Sequence, residues 1–139
     1  MQVKKLTPNL VVRSVEASLK FYREILGLEQ TITVPDQSPY IFGAVTNAPS
    51  SGSANASSNV EIFFNDQKTV AHEYPKLTAT IGASLTLYME VDDLPEVLAR
   101  VQKAGAKISM PVTDQFYGMK EFAFEDPDGY TITIAQKIV

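Results

Sequence analysis

The sequence predicts an α+β chain made of two β-α-β-β-β modules. Three observations carry this reading. Short β-prone runs and helical apolar spacings follow one another in the same order twice along the chain. Each helical spacing stops at a glycine, Gly27 and then Gly105. The remaining β-prone runs are bounded by Pro, Asp, Gly and Ser, the residues that turn a chain. Almost no residue identity survives between the copies, so the repeat is one of element order.

In the first module, residues 10–12 form a short β-prone run. Val15, Leu19, Tyr22 and Leu26 then recur at the spacing of one helix face. Residues 28–34, 40–45 and 60–65 are rich in β-branched and aromatic residues and read as three strands. The connection over residues 47–58 is a tract of small residues that cannot bury enough apolar area to order itself, and is expected to be a flexible hairpin loop. Asn55-Ala56-Ser57 within it has the pattern of a glycosylation sequon, but without a secretory signal it reads as plain loop. Residues 66–83, containing Tyr74-Pro75, are expected to link a first module of residues 1–65 to a second of residues 84–139.

The second module opens with an alternating strand over residues 84–91. Asp93-Leu94-Pro95-Glu96 is a helix start, with Asp93 as N-cap and Glu96 three residues later. Leu94, Val97, Leu98 and Val101 form the buried stripe of that helix. Residues 106–110, 119–124 and 130–135 supply three more strands, and Asp126-Pro127-Asp128-Gly129 turns the chain between the last two. That tetrapeptide has the look of a calcium loop but lacks the further spaced acids and distal Glu, so a β-turn is expected.

Composition narrows the chemistry. The 139 residues contain no cysteine and no tryptophan, and His72 is the single histidine. Disulfide frameworks, zinc clusters, Cys nucleophiles and any site needing two histidines from one chain are excluded. Apolar residues make up 45% and charged residues 20%, an ordinary globular balance. The two early lysines are not followed by a long apolar run, so the start is not read as a secretory signal; the cytoplasm is the expected compartment and no membrane association is expected. Net charge is −4 and the 12 basic residues are scattered, which argues against a nucleic-acid partner and leans towards neutral or cationic ligands. No Gly-rich phosphate loop is present.

Successive side chains on a strand face opposite ways, so each strand sorts into two sets. Leu85, Leu87, Met89 and Val91 oppose Ser84, Thr86, Tyr88 and Glu90. Val60, Ile62 and Phe64 oppose Glu61 and Phe63, and Tyr130, Ile132 and Ile134 oppose Thr131, Thr133 and Ala135. The apolar sets must pack on the helices. The other face, with Thr7, Asn9, Glu61, Phe63, Thr86, Tyr88, Glu90, Thr131 and Thr133, is too mixed for a dry core and too aromatic for a purely solvated surface. It suits the wall of a small-molecule cavity. A solvent-facing sheet or a dimer contact is the competing reading.

Several motifs together carry a family resemblance: Phe21-Tyr22 with Leu26-Gly27-Leu28, residues 85–93 entering the second helix, and Tyr117-Gly118-Met119-Lys120-Glu121-Phe122 followed by Asp126-Pro127-Asp128-Gly129-Tyr130. In this order the chain resembles the vicinal oxygen chelate superfamily of glyoxalases, bleomycin-resistance proteins and dioxygenases. The resemblance implies two modules whose curved mixed sheets enclose a cleft, in a chain often assembled as a homodimer. Modules of about 70 residues would each be marginal alone.

Metal-dependent members place ligands on the first and last strands of each module. Counted from the matching motifs, those positions fall at Thr7, Glu61, Thr86 and Thr133. Only Glu61 is a good ligand; three neutral hydroxyls and one carboxylate do not hold zinc, nickel or iron tightly. The resemblance therefore implies the metal-free branch, similar to bleomycin-resistance proteins that bind and sequester a ligand, and no cofactor is expected. The expected ligand is aromatic or cationic, an antibiotic among the candidates, in a site lined by Thr7, Asn9, Glu61, Phe63, Thr86, Tyr88, Glu90, Phe116, Tyr117 and Thr133. The aromatic members, Phe63, Tyr88, Phe116 and Tyr117, suit stacking on planar or cationic groups, with a core role for Phe116 equally open. No catalytic residue is assigned. Glu61 and Glu90 as an acid/base pair is a weaker reading than polar lining. The alternative function is a metal-dependent glyoxalase-like lyase or dioxygenase that uses Glu61 with unusual ligands such as Asn9 or Glu90. His72 falls in the linker and reads as a surface or hinge residue.

Overall fold

The computed structural model describes residues 1–47, 60–82 and 84–139. The expected loop over residues 47–58 and its sequon lie almost entirely outside the described residues. Packing divides the chain into two compact units, Met1–Ala79 and Thr80–Val139.

In the first unit the order is β1 (Asn9–Val12), α1 (Val15–Leu26), β2 (Glu29–Val34), β3 (Phe42–Thr46), β4 (Glu61–Asp66) and α2 (Pro75–Ala79). The strands form one mixed sheet in the order β1-β4-β3-β2, with β1 parallel to β4 and the other pairs antiparallel. Ser14 starts α1 by accepting a hydrogen bond from the Ala17 backbone N–H at 3.1 Å, and Gly27 ends it. Val15, Leu19, Tyr22 and Ile25 are the helix's buried apolar residues. Ile25 takes the place expected for Leu26 because the buried stripe drifts around a 3.6-residue helix. The helix lies close on β3 at Gly43, where a Cβ would stand 2.9 Å from Val15 Cγ1, so glycine there permits the approach. Tyr22 packs on Phe64 with ring centroids 5.0 Å apart.

The second unit repeats the plan with β5 (Thr86–Glu90), α3 (Leu94–Ala104), β6 (Ile108–Asp114), β7 (Met119–Glu125) and β8 (Thr131–Lys137), in the sheet order β5-β8-β7-β6. Asp93 caps α3, its side chain accepting from the Glu96 N–H at 3.0 Å. The Gln136 side chain secures the same helix start, accepting from Leu94 N at 2.7 Å and donating to Asp92 O at 2.9 Å. Leu94, Val97 and Val101 are buried, while Leu98 is half-buried. Phe122 and Phe124 stack with centroids 5.8 Å apart and align with Ile134 and Ile132 on the core face. The fold is α+β with two four-stranded mixed sheets among the described residues.

Most strand ends fall within two residues of the sequence reading, and two larger differences stand out. β6 runs on to Asp114, through Pro111. It is an edge strand paired only with β7, and its register shifts between Met110 and Thr113, so the missing N–H of proline is tolerated there. The expected linker, residues 66–83, contains α2, which starts at Pro75, where the lack of a backbone N–H costs a helix nothing. Asp126-Pro127-Asp128-Gly129 is a turn: the Asp126 Oδ1 accepts from the N–H groups of Asp128 and Tyr130, both at 2.9 Å.

Candidate functional site

In the first unit, the register places Val11, Asn65 and Phe42 in one row across the sheet, Asn9, Phe63 and Ala44 in the next, and Glu61 beside Thr46. This face is opposite the one on which α1 packs through Gly43 and Phe64. Thr7 donates to Glu61 Oε1 at 3.1 Å, and the Lys5 ammonium lies 2.6 Å from the same oxygen. The Lys5 contact holds the Glu61 carboxyl below the usual carboxylate range, with Thr7 adding to it against the opposing cost of burial. Phe63 meets Phe42 edge-on at 5.1 Å, and the Asn9 side-chain carbonyl accepts from the Asn65 amide.

In the second unit, the equivalent face carries Thr86, Tyr88 and Glu90 from β5, Thr131, Thr133 and Ala135 from β8, and Glu121, Ala123 and Glu125 from β7. Thr86 and Thr133 hydroxyls share a hydrogen bond at 2.7 Å. The centre of the face is Glu121, which is only 3% exposed. Its Oε2 accepts from the Tyr88 hydroxyl at 2.5 Å and its Oε1 from the Tyr117 hydroxyl at 2.8 Å. To reach it, Tyr88 spans β8, whose residues on this face, Thr133 and Ala135, are small. Tyr117 arrives from the tight β6–β7 turn, closed by Gln115 N–H to Met119 O at 2.8 Å and by Gly118 at φ 84°, a backbone conformation that favours glycine. Donation to the carboxylate stabilises the neutral phenols: the Tyr88 hydroxyl is pushed up to about 12 and that of Tyr117 is also raised. The two tyrosines remain about half exposed. Phe116 is 98% exposed and sits edge-on to Tyr117 at 5.1 Å, which rules out the core role the sequence left open for it.

Of the residues expected to line a site, Thr7, Asn9, Glu61 and Phe63 share the first unit's face, and Thr86, Tyr88, Glu90 and Thr133 share the second's, with Phe116 and Tyr117 at the adjoining turn. Glu61 and Glu90 belong to different units. Glu90 is exposed, with Lys137 Nζ at 4.0 Å. The residue that sequence reasoning missed is Glu121. Its signal is the alternation of β7: Met119, Glu121, Ala123 and Glu125 face one way and Lys120, Phe122 and Phe124 the other. His72 is exposed, outside both faces.

The donor sets at the family's metal positions do not fit a divalent ion. In the first unit the one carboxylate is already engaged by an ammonium; in the second, two neutral hydroxyls bond each other. Among the described residues, no three His, Cys, Asp or Glu side chains converge as a ligand group.

A sequence model of the Glyoxalase/Bleomycin resistance protein/Dioxygenase superfamily matches residues 5–134. The chain belongs to that superfamily. Solved structures agree on the fold. TioX from Micromonospora sp. ML1 is similar with a TM-score of 0.70 at 12% identity, over 98% of this chain and 100% of that one. A glyoxalase/bleomycin resistance protein/dioxygenase family enzyme from Burkholderia phytofirmans PsJN gives 0.72 at 19% identity, over 95% and 97%. A glyoxalase/bleomycin resistance protein/dioxygenase from Nocardioides gives 0.69 at 18%, over 99% and 87%. A search of curated proteins gives no match. No helix among the described residues is long and apolar enough to cross a membrane.

Proposed function

We propose that this chain binds and sequesters a small aromatic cation without a metal, and that the Glu121 carboxylate with the rings of Tyr88, Tyr117 and Phe116 is the seat. The observation that carries this reading is a nearly buried carboxylate that accepts from two phenols and forms no ion pair among the described residues. A buried carboxylate without a countercharge is costly, and a ligand cation compensates that cost. The half-exposed tyrosine faces and the exposed Phe116 ring offer cation–π and stacking contacts of about 0.5–2 kcal/mol each. Glu90, near enough to act on Tyr88, adds negative potential.

An acceptor-only carboxylate clamped by two hydroxyls is suited to holding charge. Sequestration of that kind is the behaviour of the bleomycin-resistance proteins the chain resembles, so bleomycin and planar cationic natural products are the first compounds to try. Calorimetry with bleomycin, acriflavine and a neutral aromatic control tests the reading. Saturable binding of a cation, with the neutral control at least tenfold weaker, is expected. Absence of binding across the cations, or stoichiometric nickel, zinc or iron in protein purified without a His-tag, would overturn it in favour of a metal-dependent lyase or dioxygenase.

A further inference from the structure

The first unit carries a separate pocket of about 160 Å³, lined by Asn9, Val11, Asn65, Tyr74 and Leu77. Its floor is the open sheet face, where Asn9 from β1 and Val11 beside Asn65 of β4 lie in adjoining rows. Its wall is the start of α2, which returns across that face. The wall is fixed in place: Val70 is buried, Tyr74 N–H bonds Val70 O at 2.9 Å, and the Gln67 side chain donates to Thr78 O at 2.9 Å. Yet the two residues that line it here, Tyr74 just before α2 and Leu77 within it, remain about half exposed. An anchored, mostly apolar pocket with two side-chain amides in its floor is the composition of a ligand site.

The floor specifies the ligand's chemistry. One N–H of the Asn9–Asn65 pair is spent on the partner's carbonyl. Whichever way the two amides are turned, a carbonyl oxygen on one residue and an NH₂ group on the other stay available side by side. A donor next to an acceptor is the complement of a carboxamide, lactam or imide edge. Among the described residues no charged side chain lines the pocket, so an ion gains nothing from them over water. The volume lies below the roughly 300–1,000 Å³ of drug-sized sites and admits a ligand of about one ring.

We propose that this pocket binds a small neutral amide, lactam or imide, with its N–H and C=O paired to Asn9 and Asn65 and its apolar body against Tyr74 and Leu77. The site is independent of the cation seat at Glu121 and does not require it. Titration of the full chain with benzamide, followed by ¹H–¹⁵N NMR, tests the proposal. The side-chain amide resonances of Asn9 and Asn65 are expected to shift saturably, and acetophenone, which keeps the ring and carbonyl but lacks the N–H donors, to bind about fivefold more weakly or less. Asn65→Leu is expected to abolish the benzamide response and Tyr74→Ala, at an exposed ring, to weaken it, while Tyr88→Phe leaves it unchanged. Equal affinity for acetophenone, shifts confined to Tyr88 and Tyr117, or no saturation at millimolar benzamide would overturn it. Loss of acriflavine binding in Glu121→Gln with benzamide binding intact would separate the two sites.

Discussion

Glu61 in the first sheet and Glu121 in the second both project from a central strand onto the face turned away from the helix, yet their surroundings differ. Glu61 has a cation of its own chain, Lys5, at 2.6 Å and a threonine hydroxyl as second donor. Glu121 has two phenols and no ion pair among the described residues, and it is the more deeply buried of the two. One fold, used twice, has thus neutralised one carboxylate internally and left the other's charge shared with hydroxyl donors. An internal ion pair consumes the affinity a carboxylate has for outside cations, whereas neutral donors orient the carboxylate and leave its charge to be met by a ligand.

The largest effect that sharpens this contrast is spectroscopic. With Glu121 intact, the phenol of Tyr88 is expected to ionise at about pH 12, and in Glu121→Gln to fall back towards the ordinary tyrosine value of about 10. Ultraviolet titration of the two proteins, with Tyr88→Phe to assign the signal, measures this; an unchanged titration in Glu121→Gln would break the assignment of Glu121 as the cause. Stability follows in sign. The bond from Tyr88 contributes fully below pH 10 and is lost as pH rises through about 12, because the folded state holds the proton more tightly than the unfolded chain.

The smaller effect lies in the first unit. Glu61 has its pKa lowered by folding, so its contribution is present above the ordinary carboxylate value and is lost as pH falls through the lower folded value. Lys5 is exposed and the pair is open to screening, so Glu61→Gln is expected to cost at most about 1 kcal/mol at neutral pH, less in high salt. Denaturant unfolding at low and high salt reads this. A loss well above that size, insensitive to salt, would contradict the reading of this pair as open to screening.

Much of the fold was legible in the sequence because its signals are local: Asp93, Gly27 and Gly105 bound the helices, and alternation with apolar stripes sets which face each strand buries. The α2 helix was not legible, since five residues after a proline leave no periodic stripe. The strand through Pro111 was hidden because only an edge position, a property of the tertiary sheet, excuses a proline there. The candidate site was half legible. Alternation placed Thr86, Tyr88 and Thr133 on one face, but the meeting of Tyr88 with Glu121 depends on β8 lying between β5 and β7, and on Tyr117 folding back from a turn. Those are facts of strand order that no spacing along the chain encodes.

The most direct test of the account is the affinity of acriflavine for the wild type, Glu121→Gln and Glu61→Gln, measured side by side by calorimetry. Removal of the charge at Glu121 is expected to weaken binding at least tenfold while Glu61→Gln stays within about twofold of the wild type. Equal losses in both variants, or a loss in Glu61→Gln alone, would contradict the placement of the cation seat on the second sheet.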